Sequence, residues 1–153
     1  MSSAKRAELL ESLDLEVRKL IAGTILFNEK VAARVGLNST DLQCLHLLEM
    51  QASATPGEIA RFAGLTTGGV TVVLDRLESA GYIRREPNPA DRRSTIIRPV
   101  AARLKKLQAI YRPQGEGLAR VLAAYPDPQL RLILEFLKEV NAAGAAAQSL
   151  NPA

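Results

Sequence analysis

Residues 55–99 constrain the fold of this chain more strongly than any other stretch. They read TPGEIARFAGLTTGGVTVVLDRLESAGYIRREPNPADRRSTIIRP. Two short helical patterns meet at Gly64, where a tight turn between helices needs the positive φ that glycine adopts without strain. Two strand-like segments follow, at residues 82–86 and 94–98, and a turn rich in proline and asparagine separates them. The stretch therefore predicts a helix-turn-helix followed directly by a β-hairpin.

The first helix of this pair carries a full set of start signals. Thr55 is a good N-cap, Pro56 falls at the first helical position, and Glu58 can close a capping box with Thr55. The second helix is expected to begin near Thr66 or Thr67. Its apolar residues recur with i, i+3, i+4, i+7 spacing and are predicted to be buried: Val70, Val73, Leu74 and Leu77. This spacing matches that of DNA-binding helix-turn-helix motifs.

The outward face of the second helix carries little charge. It is formed by Thr67, Gly68, Thr71, Val72, Asp75 and Arg76. Threonine hydroxyls can bond base edges or phosphates, and threonine methyls can contact thymine. Arg76 is the sole cation on this helix, and it is expected either to contact DNA or to hold a carboxylate of the hairpin. Gly68 and Gly69 each cost about 1 kcal/mol relative to alanine. They indicate either close approach of backbone N–H groups to a phosphate or tolerance at a frayed first turn.

The hairpin concentrates positive charge. From residue 82 to residue 98, five arginines face two carboxylates, which gives a local charge of +3, and none of the cations is lysine. The planar guanidinium suits bidentate contacts with phosphates and bases. Arg92 and Arg93 are predicted to lie near the hairpin tip. A charge run alone is usually a solvated face, but a basic hairpin directly after a helix-turn-helix favours contact with an adjacent minor groove.

The segment LNSTDLQCLHLLEM predicts another helix ahead of the helix-turn-helix. Ser39 or Thr40 is expected to cap it, and Asp41 in its first turn suits the positive end of the helix dipole. Cys44 is interpreted as a small buried filler rather than a redox sensor, because no Lys or Arg within four positions would lower its pKa. His46 is interpreted as helix surface rather than as the lining of a ligand pocket.

Long amphipathic helices flank this central region. The first is predicted at residues 4–34 and ends at Gly36, and its apolar stripe consists of Leu10, Leu13, Val17, Leu20, Thr24, Phe27 and Val31. After the hairpin a helix begins at Val100, and Pro113 predicts a kink or break near Arg112. The apolar face of a last helix is formed by Leu130, Ile133, Leu134, Leu137 and Val140. These stripes exceed what one small domain can cover, and an isologous twofold dimer would bury them.

Composition narrows the function classes. The chain has 153 residues, 47% hydrophobic and 24% charged, as expected of one soluble globular unit. No apolar run approaches the ~20 residues that span a bilayer, and the N-terminus lacks a signal-peptide block, so we expect a cytoplasmic protein without membrane contact. One cysteine and one histidine leave no disulfide, metal cluster or nucleophile–base pair. We therefore expect no cofactor, no metal and no enzyme activity. The net charge of +4 is compatible with a polyanionic partner.

Residues 37–98 resemble the MarR family of winged helix-turn-helix transcription regulators. The most specific pieces are VLDRLESAGYIRR and the pattern P-x-x-A-D-R-R-S that follows it. The resemblance implies a mainly α fold of the α+β type. In it, a winged helix-turn-helix DNA-binding domain at residues 37–99 joins a helical dimerisation region made of residues 1–36 and 100–153. It also implies an obligate homodimer on double-stranded DNA with a pseudo-palindromic operator, usually as a repressor. Many members release DNA when a small phenolic or otherwise aromatic acid, or an oxidant, acts on them.

The resemblance also assigns DNA-binding positions. Those that match the recognition helix, which enters the major groove, are Thr67, Gly68, Thr71 and Val72. Asp91 matches a wing aspartate that orients an arginine, for which the sequence offers Arg76 or Arg93. Arg92 and Arg93 match wing residues that reach the minor groove and its phosphates. Together with Thr66, these positions form the predicted DNA-binding set.

Two departures from the family pattern stand out. Residues 98–101 read RPVA where members usually have Leu-Thr and a later Gly, and the first helix lacks the cysteine of peroxide-sensing members. The second departure argues against oxidant sensing. The alternative function is a winged-helix module for protein interaction or DNA architecture without a ligand response, because the weakly charged second helix leaves room for it. The sequence indicates no ligand-binding residue.

Overall fold

The computed structural model describes residues 3–149, which form six helices and one two-stranded antiparallel sheet. The elements are α1 (Ser3–Val35), α2 (Ser39–Gln51), α3 (Pro56–Ala63), α4 (Thr67–Ser79), β1 (Ile83–Asn88), β2 (Asp91–Pro99), α5 (Ala101–Leu122) and α6 (Asp127–Ser149). The side chains of Arg92 and residues 146–149 lie outside this description. The element order confirms a mainly α chain in which a helix-turn-helix, α3–α4, precedes a β-hairpin, β1–β2, hereafter the wing.

The chain divides into two compact units between Ile110 and Tyr111. The first unit has a continuous apolar core, to which α2, α3, α4, the wing and the start of α5 contribute. Its fully enclosed side chains include Leu42, Leu45, Leu48, Ile59, Leu74, Leu77, Ile97 and Leu107. The stripe predicted for α4 is buried over its whole length. Burying one face of α4 leaves the opposite face exposed to solvent.

Side-chain caps fix where the central helices begin. Thr55 caps α3 and exchanges hydrogen bonds with Glu58 in a capping box, as predicted, and these bonds hold the pKa of Glu58 below its usual range. Thr66 caps α4 by accepting a hydrogen bond from the backbone N–H of Gly69 at 3.1 Å. For α2 the prediction of Ser39 or Thr40 was wrong: Asn38 is the cap. Because Asn38 and Asp41 bond each other's backbone N–H at 2.9 and 3.0 Å, the cap must lie three residues before the aspartate.

The wing is an antiparallel pair whose register joins Ile83 to Pro99. Its strands reach further toward the tip than residues 82–86 and 94–98, the segments predicted from the sequence. The sequence also did not predict that a third segment pairs with the wing. Ala54, just ahead of α3, pairs with Ile97 through two backbone hydrogen bonds of 3.1 and 2.8 Å. This bridge anchors the base of the wing to the start of the helix-turn-helix.

Helix α5 departs from the prediction. A kink or break was expected near Arg112. Because α5 continues through Pro113 to Leu122, the break was wrong, and the kink stays a prediction. Pro113 cannot donate a backbone hydrogen bond, but the bonds of neighbouring turns carry the helix past it. Helix α5 ends at Leu122, and α6 begins at Asp127.

The terminal regions expose much apolar surface in the single chain. In α1 the predicted stripe is buried only at Val31, while Leu10, Leu13 and Leu20 are each at least half exposed. Taken separately, the second unit has no buried residue between positions 111 and 145. No helix within residues 3–149 is both long enough and apolar enough to cross a membrane.

Candidate nucleic-acid interface

The turn between α3 and α4 presents one face of α4 to solvent. Gly64 adopts φ +64°, as predicted, and Leu65 donates its N–H to the carbonyl of Ala60 at 2.8 Å. With its apolar stripe packed inward, α4 exposes the residues predicted to bind DNA: Thr66, Thr67, Gly68, Thr71, Val72 and Arg76. The structure therefore brings these six positions onto one accessible surface.

Arg76 is held by a residue that the sequence did not link to it. Its Nε and Nη2 donate three hydrogen bonds to the carboxylate of Asp41, at 2.7 to 3.0 Å. Asp41 is fully buried, while 42% of the Arg76 side chain remains exposed. These hydrogen bonds raise the pKa of Arg76 further above its usual value. The expectation that Arg76 holds a wing carboxylate was wrong, because its partner lies on α2.

A second arginine ties the wing to α4. Arg85 of β1 bonds Asp75 through Nη2 at 2.6 Å and Glu78 through Nη1. Its backbone N–H also donates to Glu78, at 3.2 Å. These contacts fix the base of the wing beside the outward face of α4. They also place a cation against the two carboxylates that α4 carries near that face, which reduces the repulsion they would exert on phosphates.

The wing arginines divide into paired residues and tip residues. Arg84 and Arg98 lie on either side of Glu86, at 2.6 and 2.8 Å. Arg85 pairs with two carboxylates of α4, so three of the five wing arginines are ion-paired within the protein. Arg93 is exposed and has no ion-pair partner among the described side chains.

The tip of the wing is ordered by Asp91. Its carboxylate accepts a hydrogen bond from the backbone N–H of Arg93 at 3.0 Å, rather than from the guanidinium of Arg76 or Arg93. Asp91 therefore sets the backbone from which Arg93 projects. Arg92 lies between them in β2, and its side chain is outside the described part of the molecule. The guanidinium of Arg93, unpaired among the described side chains, therefore lies near the tip of the wing.

The structure separates the roles of the two adjacent glycines. A Cβ at Gly69 would lie 3.2 Å from Thr66 Oγ1, the capping atom of α4. Glycine at this position therefore leaves room for the cap. A Cβ at Gly68 would meet nothing within 4 Å. Contacts within the chain thus explain Gly69 but not Gly68.

Cys44 and His46 lie behind this surface, on α2. Burial and, to a smaller extent, the nearby Asp41 carboxylate raise the pKa of the Cys44 thiol to about 11. Cys44 is fully buried, as predicted. His46 is partly exposed and contacts Glu49 at 3.2 Å, and Glu49 accepts a hydrogen bond from Gln108 of α5. Within residues 3–149 no group of three or more metal-ligating side chains is clustered.

Comparison with known proteins points to one family. A sequence model described as MarR family matches residues 37–95. The chain is 38% identical over 132 residues to the uncharacterized HTH-type transcriptional regulator YcgE of Bacillus subtilis. The alignment covers 86% of this chain and 86% of YcgE. It is 31% identical over 124 residues to the HTH-type transcriptional repressor Rv2887 of Mycobacterium tuberculosis, covering 78% of this chain and 87% of that one. A crystal structure of a MarR mutant from Escherichia coli complexed with operator DNA has a TM-score of 0.55 at 20% identity, covering 84% of this chain and 93% of that one.

Proposed function

This chain belongs to the MarR family, and we propose that it is a homodimeric, sequence-specific DNA-binding transcription regulator that acts as a repressor. The main support for this proposal is that Arg85 holds an arginine-tipped wing beside the exposed face of α4. A helix that enters a major groove and an adjacent basic wing that reaches the minor groove together grip a duplex. A relative named as a repressor and a fold neighbour crystallised with operator DNA support this assignment.

In this proposal the two parts of the interface have different tasks. Recognition helix α4 contacts base edges and nearby phosphates through Thr66, Thr67, Gly68, Thr71 and Val72. Arg92 and Arg93 contribute most of the affinity from the wing tip, and the support is that Arg93 has no ion-pair partner among the described side chains. Asp91 positions the backbone of Arg93. Arg76, also predicted to bind DNA, holds α4 on α2 and contributes to binding through that position.

We assign dimerisation to residues 1–36 and 100–153 and DNA binding to residues 37–99. The support is the apolar surface that a single chain leaves open, since α1 exposes most of its stripe and the second unit has no buried residue up to position 145. Exposed apolar area of this extent marks an interaction surface. An isologous twofold interface would cover it, and would place two α4 helices on two half-sites of a pseudo-palindromic operator.

Regulation by a small aromatic or phenolic ligand forms part of the proposal through the family resemblance alone. We propose no catalytic activity. A ligand that changes the spacing of the two recognition helices within a dimer would release DNA, because both half-sites must be engaged together.

The proposal is tested by selecting bound duplexes from a random library and from fragments of the source genome. We expect two inverted half-sites about one helical turn apart. Light scattering should give a dimer mass for the free protein and one dimer per bound duplex. A monomer, or a failure to enrich any sequence at low and moderate salt, would reject the proposal and favour a protein-interaction module.

A further inference from the structure

The part of α4 that lies furthest from the core carries few hydrogen-bonding groups. Opposite the buried stripe, helical periodicity places Gly68, Val72, Asp75 and Ser79 along one line. All four are exposed, and Val72 is 60% exposed. Gly68 and Val72 lie toward the N-terminal end, the end whose residues contact base edges in helix-turn-helix complexes. The side chains at the N-terminal end of this line are therefore the hydrogen atom of Gly68 and the isopropyl group of Val72.

The charged side chains on and beside this line form ion pairs within the protein. Asp75 is bonded to Arg85, and Arg76 uses Nε and Nη2 on the buried carboxylate of Asp41. Arginine reads guanine by donating two parallel hydrogen bonds. Arg76 keeps N–H groups on Nη1 and Nη2, but its guanidinium is held at the buried carboxylate of Asp41 and shares its charge with it. The described face of α4 thus has no guanidinium without a carboxylate partner.

Two of the three threonine hydroxyls on this face are engaged within the chain, those of Thr66 and Thr71. Thr71 Oγ1 donates its proton to the carbonyl of Thr67 at 3.0 Å, and Thr66 Oγ1 accepts from Gly69 at 3.1 Å. Thr71 therefore has no proton left to donate to a base acceptor, although its methyl group is unaffected. What α4 offers most directly to a groove is apolar surface. In the major groove, the apolar feature of a base edge is the C5-methyl group of thymine.

We propose that α4 recognises its half-site through thymine methyl groups, which Val72 contacts, and that Gly68 lacks a side chain so that the helix can reach them. The inference rests on the proposed DNA-binding function and names the chemistry that this function reads. Gly68 has open space around it within the chain, so the missing side chain serves an external surface. An added methyl at this position would hold α4 away from the groove floor.

The test begins with the duplex that the full-length protein enriches from a random library. Each thymine of the half-sites is then replaced singly by deoxyuridine, which removes the C5-methyl group and leaves the Watson–Crick pairing unchanged. Removing one methyl from an apolar contact should weaken binding about fourfold. We expect that loss at one or more thymines in each half-site, measured by fluorescence anisotropy at fixed salt.

Variants identify the protein side of the contact. Val72→Ala should weaken binding to the thymine duplex and remove the deoxyuridine penalty, because the two groups then no longer meet. Met50→Ala shortens an equally exposed apolar side chain on α2 and should keep the penalty. Gly68→Ala should bind the selected duplex at least about tenfold more weakly while raising thermal stability. Gly57 is the second residue of α3, as Gly68 is of α4, and it also has open space around it. Gly57→Ala should therefore raise thermal stability by the same amount but leave thymine discrimination unchanged.

Each result supports or overturns the inference. Wild-type protein that tolerates deoxyuridine at every position, or a Val72→Ala variant that keeps the full penalty, would overturn it while leaving DNA binding intact. Unchanged binding by Gly68→Ala would show that α4 does not approach the groove closely there. If no duplex is enriched at all, the DNA-binding premise fails and this inference fails with it.

Discussion

Arg76 of α4 and Asp41 of α2, 35 residues apart, are joined by three hydrogen bonds of 2.7 to 3.0 Å. The same carboxylate also accepts from the backbone N–H of Asn38 and so closes the capping box of α2. One buried aspartate therefore starts α2 and fixes the orientation of α4 upon it. The position of α4, the proposed recognition helix, thus depends on a fully buried charge.

This arrangement predicts an asymmetry between the two partners. Arg76→Ala leaves a fully buried carboxylate without its cation and should destabilise the chain by about 3 kcal/mol. Asp41→Asn leaves a neutral amide in the cap and a half-exposed guanidinium, so it should cost about 1 kcal/mol. Urea unfolding at neutral pH measures both costs, and equal costs would contradict the asymmetry.

Arg93 should matter more for DNA binding than a paired arginine of the same wing. Replacing Arg92 and Arg93 with alanine should weaken binding more than about tenfold and flatten the dependence on salt, by about one unit of slope for each lost phosphate contact. Arg84→Ala removes one positive charge, as Arg93→Ala alone does, but Arg84 already pairs with Glu86. Its effect should stay within about threefold. Anisotropy titrations across salt concentrations make the comparison, and equal losses for both positions would remove the tip from the mechanism.

Arg85 should act by position rather than by charge. Arg85→Gln removes the guanidinium contacts of the wing with Asp75 and Glu78 and leaves only the backbone N–H bond to Glu78. We expect about tenfold weaker binding with an unchanged salt slope, since this guanidinium neutralises protein carboxylates instead of phosphates. Adding Glu78→Gln should cost little more, because the two changes break one contact. Arg98→Gln, which affects only the pair with Glu86, is the matched control and should retain most of the affinity. A reduced slope for Arg85→Gln would indicate direct contact with phosphate.

The sequence predicted the parts of the fold that depend on neighbours in the chain. Thr55 caps α3, Gly64 turns the chain, and the stripe beginning at Val70 is buried, because each needs information from only a few adjacent residues. The cap of α2 was misassigned because Asn38, Ser39 and Thr40 are all good caps in isolation. Only the reciprocal bond with Asp41 selects Asn38.

The site was less predictable because its organising contacts are long-range. Asp41 had a sufficient local explanation at the start of α2, so nothing in the sequence pointed across 35 residues to Arg76. The count of five wing arginines gave the sign of the charge but not its availability, which depends on where Glu86 and the carboxylates of α4 lie. The bridge from Ala54 to Ile97 was missed for a similar reason, since a single pair of residues leaves no periodic pattern.

Cys44 should make stability depend on alkaline pH. Its pKa is raised by burial to about 11 in the folded chain, whereas an exposed thiol ionises near pH ~8.5. Stability from the buried neutral thiol is therefore complete below pH ~8.5 and is lost as the pH rises to about 11, by about 3 kcal/mol at most. Cys44→Ala should be less stable at neutral pH but show a shallower alkaline decline. Identical slopes from urea unfolding between pH 8 and 10.5 would contradict this. Peroxide should leave DNA binding of the wild type unchanged, because the thiol is buried.

The apolar face of α6 should hold the dimer together. Leu134 and Leu137 are about half exposed in the single chain, at 51% and 47%. A glutamate at either position would place a charge in the proposed interface, where desolvation without a partner is costly. We expect Leu137→Glu to shift the light-scattering mass toward the monomer. Ala142→Glu adds the same charge on another face of the same helix and should remain a dimer. DNA affinity should fall with dimerisation in Leu137→Glu, while helix content stays constant by circular dichroism. A dimer that tolerates glutamate at both leucines would move the interface away from α6.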